Sequence, residues 1–123
     1  SVDKVGPGMI SAGVGGEIQG MELHHKGAGS PIAFNALEAN THYTLTATEV
    51  KNLNKHSHFM FRFISDKGEV SIEHNGKSSY HGNHVKLDFS TQDVKKGKYT
   101  LWLKIQEEDA PQNIGILVPV VIK

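Results

Sequence analysis

The sequence predicts an all-β chain folded as an antiparallel β-sandwich of jelly-roll-like form. Three observations carry this. Several stretches alternate apolar and polar residues with a period of two, most clearly Phe59-Met60-Phe61-Arg62-Phe63 and Tyr99-Thr100-Leu101-Trp102-Leu103-Lys104-Ile105. No segment sustains a helical period. Turn signals recur between the alternating stretches, among them Asp66-Lys67-Gly68, Asn75-Gly76 and Lys95-Lys96-Gly97. Roughly seven to nine short strands at such spacing suit a sandwich.

The first 30 residues are rich in glycine and read as an arm or linker that holds one strand, Glu17 to His24. Ile18 and Leu23 have opposite parity, so a bulge near Gly20 is needed to bury both. Gly13-Val14-Gly15-Gly16 lacks the Lys-Ser/Thr ending of a phosphate loop, and no helix follows it. From Pro31 to Lys123 the chain reads as the sandwich domain. Ile32 and Phe34 alternate, and residues 35–41 form a turn-rich connection. Tyr43, Leu45 and Ala47 then face the core, opposite Thr44, Thr46 and Thr48. Asn52-Leu53-Asn54 is a loop before the Phe59, Phe61 and Phe63 stripe, whose reverse face carries His56, His58, Met60 and Arg62. Val70 and Ile72 form a short strand after the Asp66–Gly68 turn. Residues 74–83 read as a polar connection with turns at Asn75-Gly76 and Gly82-Asn83. Val85, Leu87 and Phe89 alternate with His84, Lys86 and Asp88. Tyr99, Leu101, Leu103 and Ile105 make the next core stripe. Glu107 to Asn113 is a loop, and Ile114 to Ile122 closes the chain as one or two strands. Pro119 cannot donate to a ladder and belongs at an edge or a bulge.

The 123 residues suffice for one core. Lys+Arg and Asp+Glu both total 13, so the formal net charge is zero. That removes the bulk positive charge on which nucleic-acid binders rely, and it gives no support to a polybasic membrane patch. No apolar run is long enough to span a bilayer. With no cysteine there is no disulfide, no thiolate metal site and no cysteine nucleophile.

Leu37-Glu38-Ala39-Asn40-Thr41-His42-Tyr43-Thr44-Leu45-Thr46 resembles a segment of galactose-binding-like carbohydrate-binding modules. Val85 to Thr91 and Lys98 to Leu103 are similar to the late strands of that outline. The resemblance implies a jelly roll and sugar recognition, as in accessory modules of secreted glycosidases and of phage tail or baseplate proteins. Their calcium site does not carry over, because the glycine-rich start departs from their opening strand.

If the alternating stripes build one sheet, its outward face gathers Thr44, Thr46, Thr48, His58, Met60, Arg62, Lys86, Asp88, Trp102 and Lys104. Trp102 is the single tryptophan, and a large apolar group on a polar face calls for a ligand, a partner or a covering loop. An indole packs on the apolar side of a pyranose, while Arg62, His58, Lys86, Asp88 and Lys104 reach hydroxyls. The ordinary alternative is a solvated face with Trp102 under a loop. His56, His58 and Met60 share a face and suit copper, but they lack an acidic neighbour and a local third-ligand spacing, so surface histidines are the stronger reading. Glu107-Glu108-Asp109, and Ser78-Ser79 near His81, lack the context of catalytic groups. The leading expectation is therefore a non-catalytic module without cofactor, binding a carbohydrate or cell-surface glycan in an extracellular, cell-surface or virion setting. The alternatives are a structural module of a fibre or baseplate that forms a homo-oligomer, and a periplasmic-type copper-binding sandwich.

Overall fold

The structure, a computed structural model, describes residues 8–10, 17–27, 29–51, 58–81, 84–106 and 113–123. The readings made for Gly13–Gly16, Asn52–Asn54, His56, Gly82–Asn83 and 107–112 lie outside them. Among the described residues there are ten strands: β1 (Gly8–Ile10), β2 (Glu17–His25), β3 (Pro31–Ile32), β4 (His42–Lys51), β5 (His58–Ser65), β6 (His74–Asn75), β7 (Lys77–His81), β8 (His84–Ser90), β9 (Gly97–Gln106) and β10 (Asn113–Ile122). They form two five-stranded sheets, ordered β1-β10-β9-β5-β6 and β3-β2-β4-β8-β7. Every strand pair is antiparallel. We refer to them as the Trp102 sheet and the Thr44 sheet.

Period-two alternation turns one row of each strand inward, and the inward rows meet as one core. The Trp102 sheet contributes Phe59, Phe61, Phe63, Leu101, Leu103, Ile105, Ile116, Val118, Val120 and Ile122, and the Thr44 sheet Leu23, Tyr43, Leu45, Ala47, Val85, Leu87 and Phe89. Phe61 meets Phe89 across the interface edge to face, with centroids 6.0 Å apart, the arrangement the ring quadrupoles favour. Tyr99 is less buried than its parity implied. It lies at the rim, where its hydroxyl donates to the Lys95 carbonyl at 2.6 Å.

Both glycine-rich strands hydrogen-bond into the sheets, β1 against β10 and β2 between β3 and β4. The β2–β4 register runs from Glu17↔Lys51 to His25↔Tyr43 without an inserted residue, so no bulge reconciles Ile18 with Leu23. The span read as a polar connection contains β6 and β7. Val70 makes only an isolated bridge to Ile64, and Ile72 is 77% exposed outside any strand. The chain crosses between sheets at Gly76, where an added Cβ would lie 2.4 Å from Cε2 of Phe59 and 2.6 Å from the Asp88 carbonyl oxygen. Only a residue without a side chain fits that crossing. Pro119 sits on the outer edge of β10, between Leu117, which pairs with Gly8, and Val121, whose N–H donates to the Phe34 carbonyl. Its missing donor interrupts no ladder there.

The segment Leu37–Thr41 is tied to the end of β8 through a buried hydroxyl. Thr91 Oγ1 donates to the Glu38 carbonyl at 2.6 Å and accepts from the Thr41 N–H at 3.0 Å. The Glu38 N–H in turn donates to the Tyr43 hydroxyl at 2.7 Å. Thr91→Val keeps the shape and orphans both backbone groups, so it should destabilise the fold by about 1–3 kcal/mol in urea unfolding, whereas Thr91→Ser should recover most of the loss. Equal stability of the Val variant and the parent would refute this role.

Candidate functional site

The two sheets turn their outer faces in opposite directions, so nine of the ten residues expected on one surface divide between two, the side chain of Thr48 lying outside the described part of the structure. His58, Met60, Arg62, Trp102 and Lys104 lie on the outside of the Trp102 sheet. Thr44, Thr46, Lys86 and Asp88 lie on the outside of the Thr44 sheet. Strand parity was read correctly for β4, β5, β8 and β9. The sheet to which each strand belongs depends on long-range pairing that alternation does not encode.

On the Trp102 sheet, Arg62 pairs with Trp102 across the strands, and its guanidinium carbon lies 4.7 Å from the indole centroid, within cation–π range. Arg62 Nη2 also donates to Glu73 Oε2 at 2.5 Å. That hydrogen bond, reinforced by the charges of Arg62 and Lys104 and opposed by burial, holds the Glu73 carboxyl below its ordinary range. Trp102 is half-buried, and Arg62 covers one side of its ring. His58 is exposed and Met60 half-buried on the same face. No group of three or more His, Cys, Asp or Glu side chains suited to a metal occurs among the described residues.

The outer face of the Thr44 sheet is built of two polar rungs. His24, Thr44, Asp88 and Lys77 stand opposite one another across β2, β4, β8 and β7, and Glu22, Thr46, Lys86 and Ser79 form the next rung. Thr44 Oγ1 donates to Asp88 Oδ1 at 2.7 Å. His24 Nε2 lies 3.4 Å from both Glu22 Oε2 and Thr46 Oγ1. A groove of about 540 Å³ runs over this face between His24, Lys26, Thr44, Lys86 and Asp88. A second groove of about 260 Å³ shares Lys26 and Asp88 with it and reaches Phe61, Phe89, Gly76 and Lys77 at the open edge of the sandwich. Of these residues, Lys86 and Asp88 were singled out from sequence. His24 and Lys26 were not: a strand from Glu17 to His24 was expected, but with a bulge near Gly20 that left its outward row unassigned, and Lys26 follows that strand. Lys77 was missed because its strand is polar and short.

The fold and this face define a β-sandwich with a polar groove along one sheet. No known protein family matches the chain, and no curated protein is similar to it in sequence, so the resemblance to carbohydrate-binding modules rests on Leu37–Thr46, Val85–Thr91 and Lys98–Leu103 alone. Among solved structures, the soluble domain of PmoD from Methylocystis sp. ATCC 49242 (Rockwell) is similar at a TM-score of 0.45 and 12% identity, over 84% of this chain and 89% of that one. At this identity no residue role transfers between the two.

Because the folded-state pKa of Glu73 is lowered, the stabilisation from its pair with Arg62 is present above the unfolded carboxylate value of about 4.3 and is lost as pH falls through the lowered one. The fluorescence of Trp102 should report this as an acid limb lying below the ordinary carboxylate range, at pH values where circular dichroism still shows the fold. Glu73→Gln should remove that limb, and identical acid titrations of variant and parent would contradict the linkage.

Proposed function

We propose that this chain is a non-catalytic recognition module that reads a saccharide in the groove of the Thr44 sheet. The observation that carries the reading is the continuity of that groove. Hydroxyl, imidazole, carboxylate and ammonium groups line its 540 Å³ section in strand register, and Phe61 and Phe89 lie at the adjoining section. Hydroxyl-rich ligands need that mixture of donors and acceptors, while Phe61 and Phe89 themselves stay buried between the sheets. Among the described residues Asp88 is the one carboxylate in the lining, and it already accepts from Thr44. Glycosidic hydrolysis by the usual route takes two carboxylates across the bond, so the groove suits binding without turnover. Trp102 belongs to the opposite face, where Arg62 covers one side of its ring.

Glycan-array screening of the purified chain should identify a bound saccharide. Asp88→Ala should then lower affinity about tenfold or more through the loss of charge-assisted hydrogen bonds, and Trp102→Ala should leave it unchanged. Binding abolished by Trp102→Ala and untouched by Asp88→Ala would move the site to the other sheet. A copper site at His58 and Met60 is the competing reading, since the two donors share a face. Titration with copper(I) that shifts both residues' resonances, together with an array blank for every glycan, would favour it over the groove.

A further inference from the structure

The chain as a whole is electrically balanced, with 13 Lys+Arg against 13 Asp+Glu, yet the two joined grooves are not. Lys26, Lys77 and Lys86 line them against the single carboxylate of Asp88. Among the described residues none of these lysines is in an ion pair. Among the described residues the ion pairs are His24 with Glu22 and Arg62 with Glu73. The nearest further carboxylate on this face, Glu22, is turned to His24. A groove that read only neutral hydroxyls would gain little from three unpartnered ammonium groups, which repel one another and are costly to desolvate without a counter-charge.

We infer that the saccharide this groove reads is anionic, carrying carboxylate or sulfate groups, with Lys26, Lys77 and Lys86 meeting its charges and the Thr44–Asp88 pair taking its hydroxyls. The inference rests on the saccharide reading above and narrows it. The lysines come from three places in the fold. Lys26 follows β2, Lys77 opens β7 directly opposite Asp88, and Lys86 lies two residues before Asp88 on β8. Two residues along a strand span roughly 7 Å, and directly opposed residues on paired strands lie roughly 5 Å apart. The three lysines therefore leave the backbone at separate points along the grooves that Asp88 lines. That spacing fits anionic groups distributed along a chain better than it fits one free phosphate. Asp88 itself disfavours an anion at the centre, which leaves that position for hydroxyls.

The test measures binding of the intact chain to heparin, polygalacturonate and dextran, representing sulfated, carboxylated and neutral polysaccharides, with single-stranded DNA as a non-saccharide polyanion. An acidic polysaccharide should bind and dextran should not, with affinity falling as salt rises. Lys86→Gln and Lys77→Gln should each weaken that binding about fivefold and flatten the salt dependence, while Lys67→Gln, in the turn after β5, should change nothing. The preference between heparin and polygalacturonate identifies sulfate or carboxylate. Dextran bound as well as the acidic polymers, with both groove variants unaffected, would overturn the anionic class and leave the saccharide reading standing. DNA bound as tightly as the best acidic polysaccharide would overturn the saccharide class in favour of general polyanion binding. No binding to any of the four, together with a blank glycan array, would overturn both.

Discussion

The packing of Phe61 against Phe89 between the two sheets is the constraint on which the rest depends. These rings, with Phe59 and Phe63 on one side and Tyr43 and Leu87 on the other, fix which row of every strand faces inward. Because the side-chain period is two, a shift by one residue would turn each buried row out to water. Once the inward rows are set, every outward residue is set as well. Trp102 must leave the molecule on one side and Asp88 on the other.

The parity of the strands was legible because each inward row is uniformly apolar. Leu101, Leu103 and Ile105 are buried, and Val85, Leu87 and Phe89 with them. What local pattern does not carry is pairing partner. β4, β5, β8 and β9 all show alternation, and nothing within any of them says that β4 joins β8 while β5 joins β9. The two halves of the expected surface were therefore merged. β7 escaped notice for a different reason. It is an edge strand of Lys77, Ser78, Ser79, Tyr80 and His81, with β8 as its only strand partner. Edge strands tend to be short and polar, which discourages pairing with other chains. In β2, Gly20 lowers intrinsic strand propensity, and the pairing with β4 on one side and β3 on the other overrides it.

The two outer faces differ in how far their polar groups are already engaged. On the Trp102 sheet the guanidinium of Arg62 is stacked on the indole and bonded to Glu73, so its charge is answered within the chain. On the Thr44 sheet Lys26, Lys77 and Lys86 line the grooves beside Asp88, and among the described residues none of the three is in an ion pair. The segment Leu37–Thr46, which drew attention by resemblance, has a structural task between these faces. Leu37 is buried, the Glu38 N–H bonds Tyr43, and the Glu38 carbonyl and Thr41 N–H close on Thr91. It secures the end of the strand that bears Thr44 and Thr46, and so holds the groove's central rungs in register.

The separation of the two faces can be measured directly, because the chain has one tryptophan and no cysteine. A short-range fluorescence quencher is attached to Lys86→Cys in one sample and to Lys104→Cys in another. The sheets of a sandwich lie roughly 10 Å apart, and outward side chains add to that distance. The label on Lys104→Cys, on the same strand and face as Trp102, should quench its emission strongly. The label on Lys86→Cys should leave that emission unchanged. Equal quenching from both positions would place Trp102 and Lys86 on one surface and contradict the assignment of the groove to a face of its own.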